Sequence, residues 1–173
     1  MSIYKKIAKV GPKFIARNAL FKHGFNWSPM YRRSTGRVIE VSPDLTKVRV
    51  KIPISWKNKN YVNSIFGGSM FSAVDPIPMV QLLNLIGDSY VVWDKSAKIR
   101  FKKPAREHLY ADFLYSEEEL EEIRKEIAEK KETIITKKTS LTNKDGTIIF
   151  CEVSKDIYIA DKAYYKSKRS CTQ

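Results

Sequence analysis

The chain has 173 residues, a length typical of a single domain. Hydrophobic residues make up 43% of it and aromatic residues 12%, which excludes disorder for most of its length. Its formal net charge is +13, from 32 Lys+Arg against 19 Asp+Glu. Such a surface attracts polyanions, namely nucleic acid, an anionic membrane, a nucleotide or an acidic carrier protein, although the lysines could also serve solubility alone.

Several classes of protein do not fit the sequence. No stretch approaches the roughly 18 consecutive apolar residues of a membrane span, and the N-terminus lacks the apolar core of a secretory signal. Cys151 and Cys171 form no CxxC pattern, and His23 and His108 are isolated, so the sequence predicts neither a disulfide framework nor a metal site. We expect a soluble, cytoplasmic protein in a reducing compartment.

The first 35 residues carry apolar side chains at partly helical spacing among basic ones, interrupted at Gly11-Pro12. They predict a helical segment that packs on the core, with a membrane-surface helix as the alternative. The expected organisation is therefore this segment at 1–35, a main domain at 36–160 and a frayed basic tail at 161–173.

From Arg37 the apolar period becomes two, which predicts a hairpin whose turn is at Ser42-Pro43-Asp44. Residues 65–86 are too long and too broadly apolar for a strand, so we expect one long buried helix.

Strands and one exposed helix fill the rest of the chain. The strand at 90–103 alternates, with one face formed by Val91, Trp93, Ala97, Ile99 and Phe101 and the other by Lys98, Arg100 and Lys102. A short strand at 109–115 precedes an acidic amphipathic helix with the capping box Ser116-x-x-Glu119, and a hairpin turns at 143–146. Because only the 65–86 helix is apolar enough to cover the sheet, we predict an α+β fold in which an antiparallel sheet wraps around a central helix.

Gly67 and Gly68 stand where that buried helix is predicted to begin. Glycine lets another molecule approach backbone N–H groups that have no partner within the helix. Such a helix start can hold an anion or the oxyanion of a tetrahedral intermediate. The alternative is that the two glycines only permit close packing of the helix against the sheet.

Asp75 lies seven residues after Gly68, so the two share a helix face about 10 Å apart. An acid among Ala73, Val74 and Ile77 is costly to bury unless it is paired or used in chemistry, which makes it a candidate general base. The alternative is a carboxylate satisfied by the local backbone. Nearby prolines, however, remove amide donors, so its partner should come from elsewhere.

The run Asn60, five residues, Phe66-Gly67-Gly68, six residues and Asp75 resembles the hotdog-fold thioesterases of the phenylacetate-pathway (PaaI-like) clade. In that clade Asn, His-Gly-Gly and a helical Asp recur at this spacing. The chain is most similar to an uncharacterised branch, of unknown function, with Gly-Gly-Ser, Ala-Val-Asp-Pro and a strand like 92–95. The similarity spans residues 36–159. Phe66 replaces the family's His, and Asn63 replaces a frequent Gly.

The resemblance implies a hotdog fold, a homodimer or homotetramer with active sites at subunit interfaces, and hydrolysis of an acyl-CoA or acyl-carrier thioester. An amide of Gly67 or Gly68 would hold the thioester carbonyl, and Asp75 of the facing subunit would act as nucleophile or as base for water. Asn60 would orient the carbonyl or the water. No cofactor is implied, since coenzyme A is part of the substrate.

We expect the substrate to contact two sets of residues. One belongs to the glycine segment: Asn63, Phe66, Ser69 and Ser72. The other is a basic strip with no acid between Lys95 and Arg106, which suits phosphates of coenzyme A or an acidic carrier protein: Lys98, Arg100, Lys102, Lys103 and Arg106. An ordinary solvated strand face explains the strip equally well.

Rival functions remain open on the sequence. Phe66 in the His position favours a non-catalytic protein that binds acyl-CoA, fatty acyl chains or an acyl-carrier protein. A peripheral membrane protein that uses the basic N-terminal segment is a third reading. Gly-x-Ser-x-Gly is absent around Ser69, which argues against a serine hydrolase, and no Walker loop or dinucleotide motif is present. We expect no specific nucleic-acid binding, because the aromatic residues fall within predicted strands.

Overall fold

The computed structural model describes residues 16–170. The helices are α1 Arg17–Trp27, α2 Pro29–Arg33, α3 Gly67–Val74, α4 Pro76–Ile86, α5 Glu117–Lys130 and α6 Lys162–Ser170. The strands are β1 Arg37–Val41, β2 Lys47–Ile52, β3 Tyr90–Phe101, β4 Leu109–Leu114, β5 Glu132–Thr142 and β6 Ile149–Asp161. The expected order of elements is confirmed from β1 to β6.

One six-stranded sheet has the order β1-β2-β4-β5-β6-β3, and every strand pair is antiparallel. In β2 the buried side chains are Val48, Val50 and Ile52, so the period-two pattern places one strand face in the core. The long strands β3 and β5 flank β6, while β1 and β3 form the two edges of the sheet.

The helices α3 and α4 form the central element that covers the inner face of the sheet. Ala73, Val74, Ile77 and Leu82 have 1% or less of their surface exposed. By length and composition alone the stretch Gly67–Ile86 would suffice to cross a membrane. The core helices of folded domains pass the same test, and here the stretch packs on the sheet.

The predicted single helix is interrupted at Asp75, because Pro76 and Pro78 provide no backbone N–H for the helical hydrogen bonds. Two carbonyls at the break accept side-chain donors. The Tyr31 hydroxyl donates to the Ala73 carbonyl at 2.9 Å, and Lys155 Nζ donates to the Asp75 carbonyl at 2.5 Å. The break is thus a fixed feature of the core, satisfied by groups from two other elements.

A bulge in β3 changes which residues face inward. The register shifts between Asp94 and Ser96, so Val92 and Asp94 point to the core side before the bulge, opposite Ile159 and Ile157. The expectation that Val91 and Trp93 share a face with Ala97 was therefore wrong. Trp93 instead stacks on Tyr158, on the other face of the sheet, with ring centroids 4.6 Å apart.

The predicted capping box is confirmed in its serine half, since Ser116 Oγ accepts the Glu119 N–H at 3.2 Å, whereas the Glu119 carboxylate pairs with Lys137 at 2.8 Å. The predicted frayed tail differs from the structure, which has α6 at 162–170. Asp161 Oδ1 accepts two amides at the start of α6, and Lys168 pairs with Glu132 at 2.7 Å. At the other end α1 packs on β1, while the expectation for residues 1–15 lies outside the described part.

Candidate functional site

The ion pair between Lys155 and Asp75 lies at the break between α3 and α4. Lys155 is on β6 between the buried Val153 and Ile157, and its inward side chain is 3% exposed. Its Nζ lies 2.7 Å from Asp75 Oδ1. The Asp75 side chain is 40% exposed, so one edge of the carboxylate is anchored in the core while the group remains open to solvent.

Asp94 is a second carboxylate on the same ammonium, with its Oδ2 2.6 Å from Lys155 Nζ. Its Oδ1 is buried and has no hydrogen-bond partner among the described residues. Burial raises the pKa of Asp94 above its ordinary value, and the negative charge of Asp75 raises it further. The hydrogen bond and charge of Lys155 act in the opposite direction but do not cancel the rise. The site is therefore a three-membered charge cluster, in which one cation is held between two acids.

The helix α3 begins at Gly67, as the sequence predicts, with Phe66 as its N-cap. The Phe66 carbonyl accepts the amides of Ser69 and Met70 at 3.0 and 3.2 Å. Within the described residues the amides of Gly67 and Gly68 have no acceptor, because they precede the first helical hydrogen bond. Two amides are thus available at the helix end that faces away from Asp75.

Aromatic rings occupy the space beside both glycines. A Cβ on Gly67 would lie 2.6 Å from Cζ of Phe101, and a Cβ on Gly68 would lie 2.3 Å from Cε1 of Phe66. The close-packing alternative therefore has direct support, with rings in place of the sheet backbone. Phe66 and Phe101 are 58% and 53% exposed, so they form an apolar surface around the helix start.

The loop before α3 uses the Asn60 side chain for its own structure. Asn60 Oδ1 accepts the amides of Val62 and Ser64, and its Nδ2 donates to Ser64 Oγ at 2.9 Å. Asn63 has a φ of 59°, in the left-handed region that asparagine tolerates better than most residues. Ser69 is half-buried on the first turn of α3, and Ser72 is exposed one turn later.

The predicted basic strip gains acids from the neighbouring strand. Lys102 pairs with Glu152 at 2.9 Å, and Arg100 lies opposite Glu152 in the β3–β6 register. Asp156 on the same strand has its pKa lowered by hydrogen bonds from Ser96 and Thr136 and, to a smaller extent, by the charge of Lys98. Lys103 and Arg106 are exposed in the segment after β3, beside Ala105, whose carbonyl accepts the Ile65 amide. The strip is therefore a mixed charged face.

Sequence reasoning found Asp75 but missed Lys155 and Asp94. Reading 90–103 as an unbroken alternation assigned Asp94 to the solvent face, and only the bulge turns it inward. A signal for Lys155 was present, since it shares the parity of the apolar Cys151, Val153 and Ile157. Among the described residues no three His, Cys, Asp or Glu side chains cluster as a metal site would require.

Comparisons with known proteins support the fold. A probable thioesterase of unknown function from Pseudomonas aeruginosa superposes with a TM-score of 0.73 at 20% identity, over 83% of this chain and 95% of that one. A protein of unknown function from Chlorobaculum tepidum gives 0.67 at 16% identity, over 84% and 94%. A thioesterase from Haemophilus influenzae gives 0.61 at 7% identity, over 83% and 90%.

No curated protein matches the chain. The neighbours share its hotdog fold, with a six-stranded antiparallel sheet and a central helix. The family model called domain of unknown function (DUF4442) matches residues 17–159, which include α1 and every strand from β1 through nearly all of β6. The chain therefore belongs to the DUF4442 family.

Proposed function

We propose that the protein hydrolyses an acyl thioester of coenzyme A or of an acyl-carrier protein. The observation that carries this proposal is the half-exposed carboxylate of Asp75, fixed by the buried Lys155 on the helix that begins with the free amides of Gly67 and Gly68. Structural neighbours named as thioesterases support the reaction class, at identities of 20% and 7%.

The two ends of this helix would have different tasks in the reaction. Asp75 Oδ1 is held by Lys155, which leaves Oδ2 to take a proton from water or to attack the acyl carbon itself. In the first case the water oxygen bonds to the acyl carbon and the carbonyl oxygen becomes an oxyanion. Its collapse breaks the carbon–sulfur bond, and the thiolate takes up the proton that Asp75 accepted. In the second case Asp75 bonds to the acyl carbon as the thiolate leaves, and water then hydrolyses the resulting anhydride. Amides such as those of Gly67 and Gly68 would stabilise the oxyanion.

A second subunit would bring these two groups together. Asp75 and Gly68 lie at opposite ends of one helix, about 10 Å apart, which is too far for both to contact one carbonyl. We therefore propose a homodimer or homotetramer in which Asp75 of one subunit faces Gly67 and Gly68 of another. The outer edge of β3 suits such pairing, because no other described strand covers it.

The test replaces Asp75 by Asn and by Ala and follows free thiol release from a panel of acyl-CoAs. Turnover should fall by about 10²–10⁴-fold, because the base or nucleophile is lost. Circular dichroism and a thermal melt establish that each variant is folded. The control is Asp145→Asn, at an exposed hairpin position, which should leave turnover unchanged. Unchanged turnover in both Asp75 variants would refute the mechanism.

A non-catalytic acyl-binding protein is the second candidate. It is favoured by the exposed rings of Phe66 and Phe101 beside the glycines, since Phe66 stands where the PaaI-like thioesterases that the sequence resembles have a His. Saturable binding of an acyl-CoA by the wild type with no thiol release would support this candidate over hydrolysis.

A further inference from the structure

An open surface cavity of about 390 Å³ lies between α2, the start of β1 and the segment that follows β2. It is separate from the Asp75 cluster, and none of its residues was a candidate site residue on the sequence. Its walls combine basic side chains with prolines and hydroxyls: Pro29, Arg32, Arg33, Thr35, Arg37, Pro53, Ser55 and Lys57.

The lining of the cavity is strongly positive. Four of its eight lining residues are basic and none is acidic. Arg32, Arg33, Arg37 and Lys57 make no salt bridge to any described residue, in contrast to Lys102, which pairs with Glu152. Uncompensated guanidinium groups around a concave space match the geometry of phosphate oxygens, which they can bind in pairs.

Two hydrogen bonds connect the cavity with the start of α3. Asn58 Nδ2 donates to Oγ1 of Thr35, a lining residue, at 2.8 Å. The Asn58 carbonyl accepts the amide of Phe66 at 2.8 Å, and Phe66 directly precedes Gly67. A ligand whose reacting end lay at Gly67 could therefore extend an anionic end along this loop into the cavity.

An exposed indole lies beside the basic groups. Trp56 stands between the lining residues Ser55 and Lys57 and is 84% exposed. Lys57 Nζ lies 5.5 Å from the centroid of its ring. A flat aromatic surface next to a basic cavity suits a purine base, because every base has a face that stacks.

We propose that this cavity binds the phosphate groups of the nucleotide end of a coenzyme A thioester, with Trp56 against the base. The inference rests on the proposed function for the identity of the reacting end. It assigns the carrier as coenzyme A and moves the expected phosphate contacts from the strip on β3 to the cavity. A lipid headgroup could also supply the phosphate. The cavity is concave and is connected to Gly67, which favours a soluble nucleotide over the flat surface of a membrane.

The test compares three probes by calorimetry on the full chain: coenzyme A, pantetheine, which lacks phosphates, and vesicles of phosphatidylcholine with phosphatidylserine. The wild type should bind coenzyme A more tightly than pantetheine, with an affinity that falls as salt rises. The triple variant Arg32→Gln/Arg33→Gln/Arg37→Gln should raise the Kd for coenzyme A by about tenfold or more. The single variant Arg32→Gln should give a smaller rise.

The matched control removes three positive charges elsewhere, as Lys125→Gln/Lys144→Gln/Lys166→Gln at exposed positions. It should change the Kd by less than about twofold. An equal rise in the control, an unchanged Kd in the cavity variant, or no coenzyme A binding by the wild type would overturn the inference. Vesicle binding that depends on the same arginines, without coenzyme A binding, would also overturn it.

Measuring the kinetics of thioester hydrolysis distinguishes a failure of this inference from a failure of the proposed function. If the protein is a thioesterase, the cavity variant should raise KM for acyl-CoA and leave kcat and the KM for an acyl-pantetheine unchanged. If the wild type binds coenzyme A through the arginines but releases no thiol, the proposed function fails and the cavity assignment stands.

Discussion

Lys155 Nζ donates to both the backbone carbonyl and the side chain of Asp75, at 2.5 and 2.7 Å. One buried ammonium thus satisfies a carbonyl at a helix break and fixes the carboxylate of the same residue. The contact joins β6 to the central helices across 80 residues of sequence. It makes Asp75 an anchored group with a defined free oxygen.

Replacing Lys155 by Met should leave Asp75 and Asp94 facing each other without a cation. We expect the free energy of unfolding to fall by about 3–5 kcal/mol in urea melts, because a buried ion pair loses one partner. If the protein is a thioesterase, kcat/KM should also fall, because the Asp75 carboxylate loses the ammonium that positions it.

The double variant Lys155→Met/Asp94→Asn serves as the control for that cluster, because it removes an acid together with the cation. It should recover part of the lost stability, which a double-mutant cycle measures. A Lys155→Met protein as stable as the wild type, with an unchanged kcat/KM, would contradict the role assigned to Lys155.

Gly68→Ala should displace the ring of Phe66, since the new Cβ would lie 2.3 Å from Cε1. Removing the ring in Gly68→Ala/Phe66→Ala should relieve the conflict, so we expect a coupling energy of about 0.5–3 kcal/mol in thermal or urea unfolding. Gly24→Ala is the matched control, because a Cβ added at this position on α1 would have no neighbouring atom within 4 Å. It should stabilise the protein by about 0.5–1 kcal/mol. Additive effects at Gly68 and Phe66 would show that the ring does not restrict this glycine.

Tyr31→Phe should leave the carbonyl of Ala73 without its buried donor. We expect a loss of about 1–3 kcal/mol in the free energy of unfolding, since an unsatisfied buried acceptor is costly. Tyr61→Phe, at a fully solvated tyrosine, should change stability by less than about 0.5 kcal/mol. Equal effects at the two positions would mean that the hydrogen bond at the helix break contributes nothing.

Cys151 should be unreactive in the folded protein. Burial raises its pKa to about 11, with a smaller contribution from the charge of Glu152, so at pH 8 roughly one thiol in a thousand is ionised. In a Cys171→Ser background the remaining thiol should react with an aromatic disulfide reagent only after guanidinium is added. Rapid reaction of the native protein would contradict the burial of this side chain.

The sequence alone determined the fold class and the order of elements from β1 to β6. Alternation in β2 and the Ser116 N-cap of α5 are local signals, because the side-chain period and the cap geometry each involve only neighbouring residues. Gly67 as the start of α3 was predicted for the same reason. The tail was misjudged because α6 is held by Glu132 and Trp93, which lie far away in the chain.

The tertiary structure decided the composition of the site. The role of Lys155 or Asp94 can be assigned only when the charged residue that faces it is known. The bulge in β3 adds to the difficulty, because it reverses the face of every residue of the strand before it. The acids beside the basic strip and the arginines around the cavity likewise come from segments that are distant in sequence. Periodicity shows which face of an element a side chain occupies, whereas electrostatic pairing depends on distances in space that only the folded chain defines.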